Sequence, residues 1–151
     1  RSPLIYGVNV KANFKNLLKL AGTGVPLPFG AIDNSRSLIY LENLTDFIIK
    51  CIEHPKAANE TFLVSDNEDW TISQLVSEMR LEMGIPTRLI SVPKFLLMMI
   101  FKVTGQLGKF ERLCGALQLD SSKAFNLLGW SPPYAAQLGL QKTVRFFLKN
   151  N

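Results

Sequence analysis

The sequence predicts an α/β chain, a small mixed sheet with flanking helices, and three observations predict it. Short β-branched and aromatic runs, such as Leu4-Ile5-Tyr6 and Leu38-Ile39-Tyr40, alternate with longer stretches of helical periodicity. Helix starts and stops are readable at several of those stretches. A length of 151 residues, 47% of them apolar, suffices for one compact core. Because the alternation is not strict, α+β is the alternative class.

Taken in order, Arg1-Ser2-Pro3-Leu4-Ile5-Tyr6-Gly7 is a strand signal running straight into a turn with no domain start in front of it, and reads as the opening of the second half of a larger enzyme. Phe14, Leu17, Leu18 and Ala21 fall at i, i+3, i+4 and i+7, which predicts an amphipathic helix over 11–21 with Lys11, Lys15 and Lys19 outside and Gly22 and Gly24 at its end. Pro26-Leu27-Pro28-Phe29-Gly30 reads as an extended edge segment or loop, since two prolines remove ladder donors. Residues 36–41 form a credible strand that leads through Asn43 into a helix with Leu44, Phe47, Ile48, Cys51 and Ile52 on one face. A short strand is expected over 61–64. Asp66, Glu68 and Asp69 then read as a solvated turn ahead of a helix, whose N-terminus favours negative charge.

Thr71 and Gln74 fit a capping box for a helix reaching about Met83, stopped by Gly84 and Pro86. Residues 88–92 look like a strand. Pro93 then opens an apolar helix to about Val103, read as a core helix in preference to a membrane-surface or partner contact. The stretch 111–117 is ambiguous, and Leu117-Gln118-Leu119 is a brief strand candidate. Asp120 can cap a helix through Leu128, with Gly129 as its left-handed stop, and Leu138, Val144, Phe147 and Leu148 would anchor the last helix.

The net charge of +5 comes from scattered lysines, which argues for a solvated surface rather than a nucleic-acid footprint while still favouring small anions. Cys51 and Cys114 belong to no metal or redox unit and read as buried thiols in a reducing compartment; His54 is the single histidine and precedes Pro55 at a helix end. No metal site is expected. The apolar run 95–101 falls short of the ~18–20 residues a span requires, so a soluble, cytoplasmic chain with no membrane span is expected. H-E-x-x-H, G-x-S-x-G and P-loop patterns are absent from the sequence, which removes the common zinc, serine-hydrolase and nucleoside-triphosphatase readings. Gly22-Thr23-Gly24 mimics the front of a dinucleotide fingerprint, but it follows a helix and Pro26 stands where a helix would start, so it reads as a turn. Arg36 and Arg112 are each fork-shaped donors for a phosphate or carboxylate, or else partners in surface ion pairs.

Five stretches in order carry a resemblance: Arg1 to Gly7, Leu27-Pro28-Phe29-Gly30, Arg36 to Leu44, Phe62-Leu63-Val64-Ser65-Asp66 and Leu127-Leu128-Gly129-Trp130-Ser131-Pro132. Together they resemble the C-terminal half of an extended short-chain dehydrogenase/reductase of the nucleotide-sugar epimerase/dehydratase group. The resemblance implies the C-terminal part of an extended Rossmann-type enzyme, a single substrate-binding region over 1–151. It also implies NAD or NADP held mainly by an N-terminal dinucleotide-binding domain that this chain does not include. The family's Tyr-x-x-x-Lys catalytic pair is not here, because Tyr6, Tyr40 and Tyr134 are followed four residues on by Val10, Leu44 and Leu138. Carried over position by position, Asn13 falls near a diphosphate, Leu27 and Phe29 flank a base, Arg36 and Arg112 hold phosphate or ribose, and Pro3 lies near the nicotinamide.

Two departures bear on the reaction. Leu4 stands where many of the sugar epimerases have a sugar-contacting asparagine, and Val8 replaces the proline of a Tyr-Gly-Pro pattern. They leave a 4-epimerase of N-acetylated sugars, a dehydratase and a sugar reductase all open; the first reading the resemblance implies is a nucleotide-sugar 4-epimerase acting on a UDP-hexose or UDP-N-acetylhexosamine, inactive in this half alone, with a homodimer left open. A dehydratase, or a hydroxysteroid-type reductase with residues 95–101 lining an apolar site, is the alternative; a non-catalytic anion-binding module is the third.

Overall fold

The computed structural model describes residues 3–103, 105, 108 and 115–150. Its sheet has the order β1 (Leu4–Tyr6), β2 (Ser35–Tyr40), β3 (Asp69–Thr71), with β2 in the middle. β1 runs parallel to β2, Leu4 beside Leu38 and Tyr6 beside Tyr40, whereas β3 is antiparallel, Ser35 beside Thr71 and Ser37 beside Asp69. A parallel pair needs a long crossover, and α1 (Ala12–Gly22) supplies it. The sheet is mixed, as the sequence predicts.

α1 buries its whole periodic face, Phe14, Leu17, Leu18 and Ala21. Beside its C-terminal end lies Arg80 of α3 (Ile72–Glu82), a fully buried guanidinium. Its Nε donates to the Ala21 carbonyl at 3.2 Å, Nη1 to Arg88 O at 3.1 Å and Nη2 to Val25 O at 2.5 Å. Burial lowers the pKa of this group, and carbonyl dipoles in place of a carboxylate offset the loss of water. The same loop pairs Leu27 with Leu89 in parallel, Ile90 N donating to Leu27 O at 2.8 Å. The strand expected over 88–92 is thus reduced to one bridge, because Pro26 and Pro28 leave Leu27 with few ladder donors beside it.

The capping box of α3 is formed: Gln74 N donates to Thr71 Oγ1 at 3.1 Å and Thr71 N to Gln74 Oε1 at 2.9 Å. In α2 (Leu41–Glu53) the expected apolar face is only partly used. Phe47 is buried and Leu44 and Cys51 pack beside it, but Ile48 and Ile52 are exposed, since the helix rests on a small second cluster of Ile39, Val64, Ala124, Leu128 and Trp130. Residues 61–64 do not form the expected strand; the segment meets β2 through Asp66 N, which donates to Leu38 O at 2.9 Å, rather than through a ladder. Leu117 forms an isolated parallel bridge with Arg36, and the ambiguous stretch ahead of it lies largely outside the described residues.

α4 (Lys94–Val103) departs most from expectation. Leu97 is buried and Phe101 packs against the core, yet Phe95, Met99 and Val103 face outward, so the run is not a core helix. α5 (Ser122–Leu128) is preceded by Asp120, whose Oδ1 accepts from Ser122 N at 2.9 Å, and closed by Gly129 at φ 61°. α6 (Ala136–Lys149) buries Leu140 and Val144 against α3 and the sheet, with Phe147 at the margin; Leu138 and Leu148 are exposed rather than anchoring. Gly139 makes that approach feasible. A Cβ there would stand 2.7 Å from Tyr40 Cγ and 3.0 Å from the Tyr6 hydroxyl.

One buried polar knot ties these elements together. Asp66, expected in a solvated turn, is instead nearly enclosed and accepts from Tyr6 Oη at 2.7 Å, Asn43 Nδ2 at 2.8 Å and the Tyr40 amide at 3.0 Å. Tyr6 Oη also reaches Ala136 O at 3.0 Å, and Asn43 pairs both ways with the Tyr134 backbone, Nδ2 to O at 2.9 Å and N to Oδ1 at 3.0 Å. Burial, then the Asp66 carboxylate, push the Tyr6 phenol far above the ordinary tyrosine range, which keeps it a neutral donor.

Candidate substrate-binding site

A cavity of about 390 Å³ opens between α1, the start of β2, β3 and α4. Each wall follows from local sequence. The periodic face of α1 turns Phe14 and Leu17 inward, and Asn13 and Asn16, three residues apart on one helix side, stand at the rim. Beyond the Leu27 bridge the chain turns over 28–31, closed by Ile32 N donating to Phe29 O at 3.1 Å, which delivers Phe29 to the cavity while Leu27 goes into the core. Pairing of Arg36 with Trp70 across β2 and β3 sets a cation and an indole side by side. Phe101 of α4, with Leu4, Ile72 and Leu75, completes an apolar wall.

Arg36 is half-buried, and its orientation is set by backbone: Nε donates to the Gly115 carbonyl at 3.1 Å and Nη2 to the same oxygen. Asn34 lies two residues before it on the same side of the chain and also borders the cavity. The result is an apolar slot with an aromatic edge, rimmed by amide groups and one fixed guanidinium. Such a set can pack a planar ring and hold an anion with charge-assisted bonds, but it contains no acid–base pair for bond making. Among the described residues no cluster of His, Cys, Asp or Glu could hold a metal ion.

Of the residues singled out in the sequence, the structure brings Asn13, Phe29 and Arg36 onto this one cavity. Leu27 is a core residue, Pro3 is half-buried and not on the wall, and Arg112 lies outside the described residues. Sequence reasoning missed Asn16, Asn34 and Trp70. The i+3 spacing of Asn16 from Asn13 and the i−2 spacing of Asn34 from Arg36 were usable signals; Trp70 meets the site through strand register.

No family model matches the chain. Against curated proteins it is 43% identical over 152 residues to the UDP-glucose 4-epimerase of Vibrio cholerae, covering 100% of this chain and 46% of that protein. The chain matches the C-terminal half of an extended short-chain dehydrogenase/reductase epimerase. A second relative, the N-acetyl-alpha-D-glucosaminyl-diphospho-ditrans,octacis-undecaprenol 4-epimerase of Escherichia coli O157:H7, is 27% identical over 158 residues, 97% of this chain and 47% of that protein. Among solved structures, a UDP-glucuronic acid 4-epimerase from Bacillus cereus, in complex with UDP-glucuronic acid and NAD, aligns with a TM-score of 0.70 at 19% identity, over 100% of this chain and 45% of its own. That likeness shows a shared Rossmann-type α/β fold. The chain spans about half the length of the curated relatives it matches.

Leu4, the first residue of β1, lies on the apolar wall.

Proposed function

We propose that this chain is the substrate-binding half of an NAD-dependent sugar-nucleotide 4-epimerase taking a UDP-hexose or UDP-N-acetylhexosamine. The observation that carries the reading is the convergence of Asn13, Phe29 and Arg36 on one cavity of a chain 43% identical to a UDP-glucose 4-epimerase. In this reading the uracil packs in the slot beside Phe29 and Trp70. The diphosphate lies between Arg36, joined by Arg112, and Asn13 in the first turn of α1, where the helix dipole favours negative charge. Binding energy gathered there, remote from the reacting carbon, would align the sugar for chemistry elsewhere.

The described residues do not themselves fit a dinucleotide. Gly22 and Gly24 close the end of α1, and Gly24 N turns back to the Ala21 carbonyl at 3.5 Å instead of opening toward a phosphate. NAD or NADP is proposed to belong mainly to a preceding nucleotide-binding domain, with Pro3 at its border, and the chain alone is proposed to turn over nothing. A cytoplasmic enzyme, assembled as a homodimer, completes the reading.

A second reading changes what the diphosphate carries. The Escherichia coli relative is named for a polyprenol-linked substrate, and the apolar wall of the cavity continues through Phe101 into α4, whose far side is exposed and apolar. In that case the diphosphate would bear a hydrocarbon chain in place of a nucleoside.

Calorimetric titration with UDP, for the wild type and an Arg36→Ala, Arg112→Ala pair at two salt concentrations, tests the proposal. Saturable binding that weakens at least tenfold in the variant supports it. Binding that ignores both arginines would move the phosphate elsewhere, and no binding of UDP by the wild type beside binding of a polyprenyl diphosphate would favour the second reading.

A further inference from the structure

The outer side of α4 is left unused by the cavity. Leu97 and Phe101 pack inward, yet Phe95 is 62% exposed, Met99 54% and Val103 86%, with Leu96 and Met98 exposed on either side. Phe95, Met99 and Val103 stand at i, i+4 and i+8, one above another along the helix. A helix that is apolar nearly all round is either buried or in contact with lipid. With 10 residues α4 is too short to cross a bilayer, and no described helix is long and apolar enough to do so.

Charge says what kind of surface this face meets. Between Glu82 and Glu111 the sequence holds no carboxylate at all, while Arg88, Lys94, Lys102 and Lys109 fall in that interval. Lys94 and Lys102 bracket the apolar face, and both they and Arg88 are exposed. Large apolar side chains flanked by cations, on a stretch of sequence without carboxylates, match the boundary between acyl chains and anionic headgroups.

We infer that α4 docks this protein on the surface of an anionic lipid bilayer, lying flat with Phe95, Met99 and Val103 inserted and Lys94 and Lys102 among the headgroups. Phe101 belongs to the same helix and to the cavity wall, so docking sets the cavity beside the membrane. A diphospho-sugar anchored in the bilayer could then reach Arg36 without leaving it. Vesicle binding is measured without turnover, so this inference stands or falls apart from the epimerase reading.

Flotation of the 151-residue chain with vesicles tests it. One set is pure phosphatidylcholine and the other contains equal parts phosphatidylcholine and phosphatidylglycerol. The variants are Phe95→Ser, Met99→Ser, Val103→Ser combined, and Lys94→Gln, Lys102→Gln combined; all five positions are exposed, and circular dichroism checks each fold. The wild type should partition to the anionic vesicles at least tenfold more strongly than to the neutral ones. The lysine pair should lose roughly thirtyfold in partitioning, the serine triple at least tenfold, and high salt should mimic the lysine pair. Emission from a Met99→Trp variant should be quenched by brominated lipid. Failure of the wild type to float, or flotation of the serine triple at wild-type level, would overturn the inference. So would a self-association abolished by the triple while vesicles have no effect, which would give the face to a second copy.

Discussion

Replacing Asp66 is the sharpest probe of how the site is held. In Asp66→Ala the Tyr40 amide loses its acceptor inside the core, whereas Tyr6 Oη keeps Ala136 O and Asn43 Nδ2 keeps Tyr134 O. One orphaned backbone donor costs about 1–3 kcal/mol, and two weakened bonds to a charged acceptor add about 1 kcal/mol each, for a total near 3–5 kcal/mol. Asp66→Asn should cost far less, about 1–2 kcal/mol. With its amide placed toward Tyr6, the asparagine donates to the phenol oxygen, and the phenol turns its proton to Ala136, while the remaining oxygen still accepts from Tyr40 N and Asn43 Nδ2. Urea unfolding followed by circular dichroism reads both numbers. If asparagine is as damaging as alanine, the phenol does not reorient and the proton arrangement described for Tyr6 is wrong; if alanine costs under about 1 kcal/mol, the knot is not what holds β1, α2 and α6 together.

Alkaline pH should act through the same knot. The Tyr6 pKa is raised from its ordinary 10.0, so the folded chain retains a proton that the unfolded chain gives up, and stability is complete below pH 10 and falls as pH rises above it. Tyr6→Phe should flatten that fall by about 1.4 kcal/mol per pH unit, measured as urea midpoints from neutral to strongly alkaline buffer. Gly139→Ala should destabilise by a net ~1–2 kcal/mol in the same assay, because a methyl 2.7 Å from the Tyr40 ring overpacks the core by more than the alanine's better helix propensity returns.

Local signals in the sequence were translated faithfully where a segment's own chemistry decides the outcome. The α1 face, the Thr71–Gln74 box and the Gly129 stop depend on neighbours within one or two helical turns, and all are formed; Asp120 accepts from Ser122 N, but the N-cap position falls one residue later, on Ser121, which makes no side-chain cap bond. Periodicity misled where it counted apolar residues without knowing how much surface would cover them: Ile48, Ile52, Leu138 and most of α4 remain outside. Asp66 was misread for the converse reason. It stands beside Glu68 and Asp69 in a polar run, and Tyr6, Asn43 and the Tyr40 amide, all distant in sequence, turn it inward. The cavity follows the same division, with Asn13, Phe29 and Arg36 reached through family resemblance, and Trp70 set beside Arg36 by strand register alone.

The hydrogen bond from Tyr6 to Ala136 closes a loop of 130 residues, so β1 is synthesised well before the helix that covers it. At ordinary synthesis speeds of ~5–20 residues per second, β1 waits on the order of ten seconds for α6 to leave the exit tunnel. Throughout that interval the nascent chain has its sheet edge and Tyr6 without their final cover. Chaperone capture should therefore peak just before α6 emerges, and a stop codon placed ahead of Ala136 should leave a product bound for proteolysis even though every cavity-lining residue has been translated.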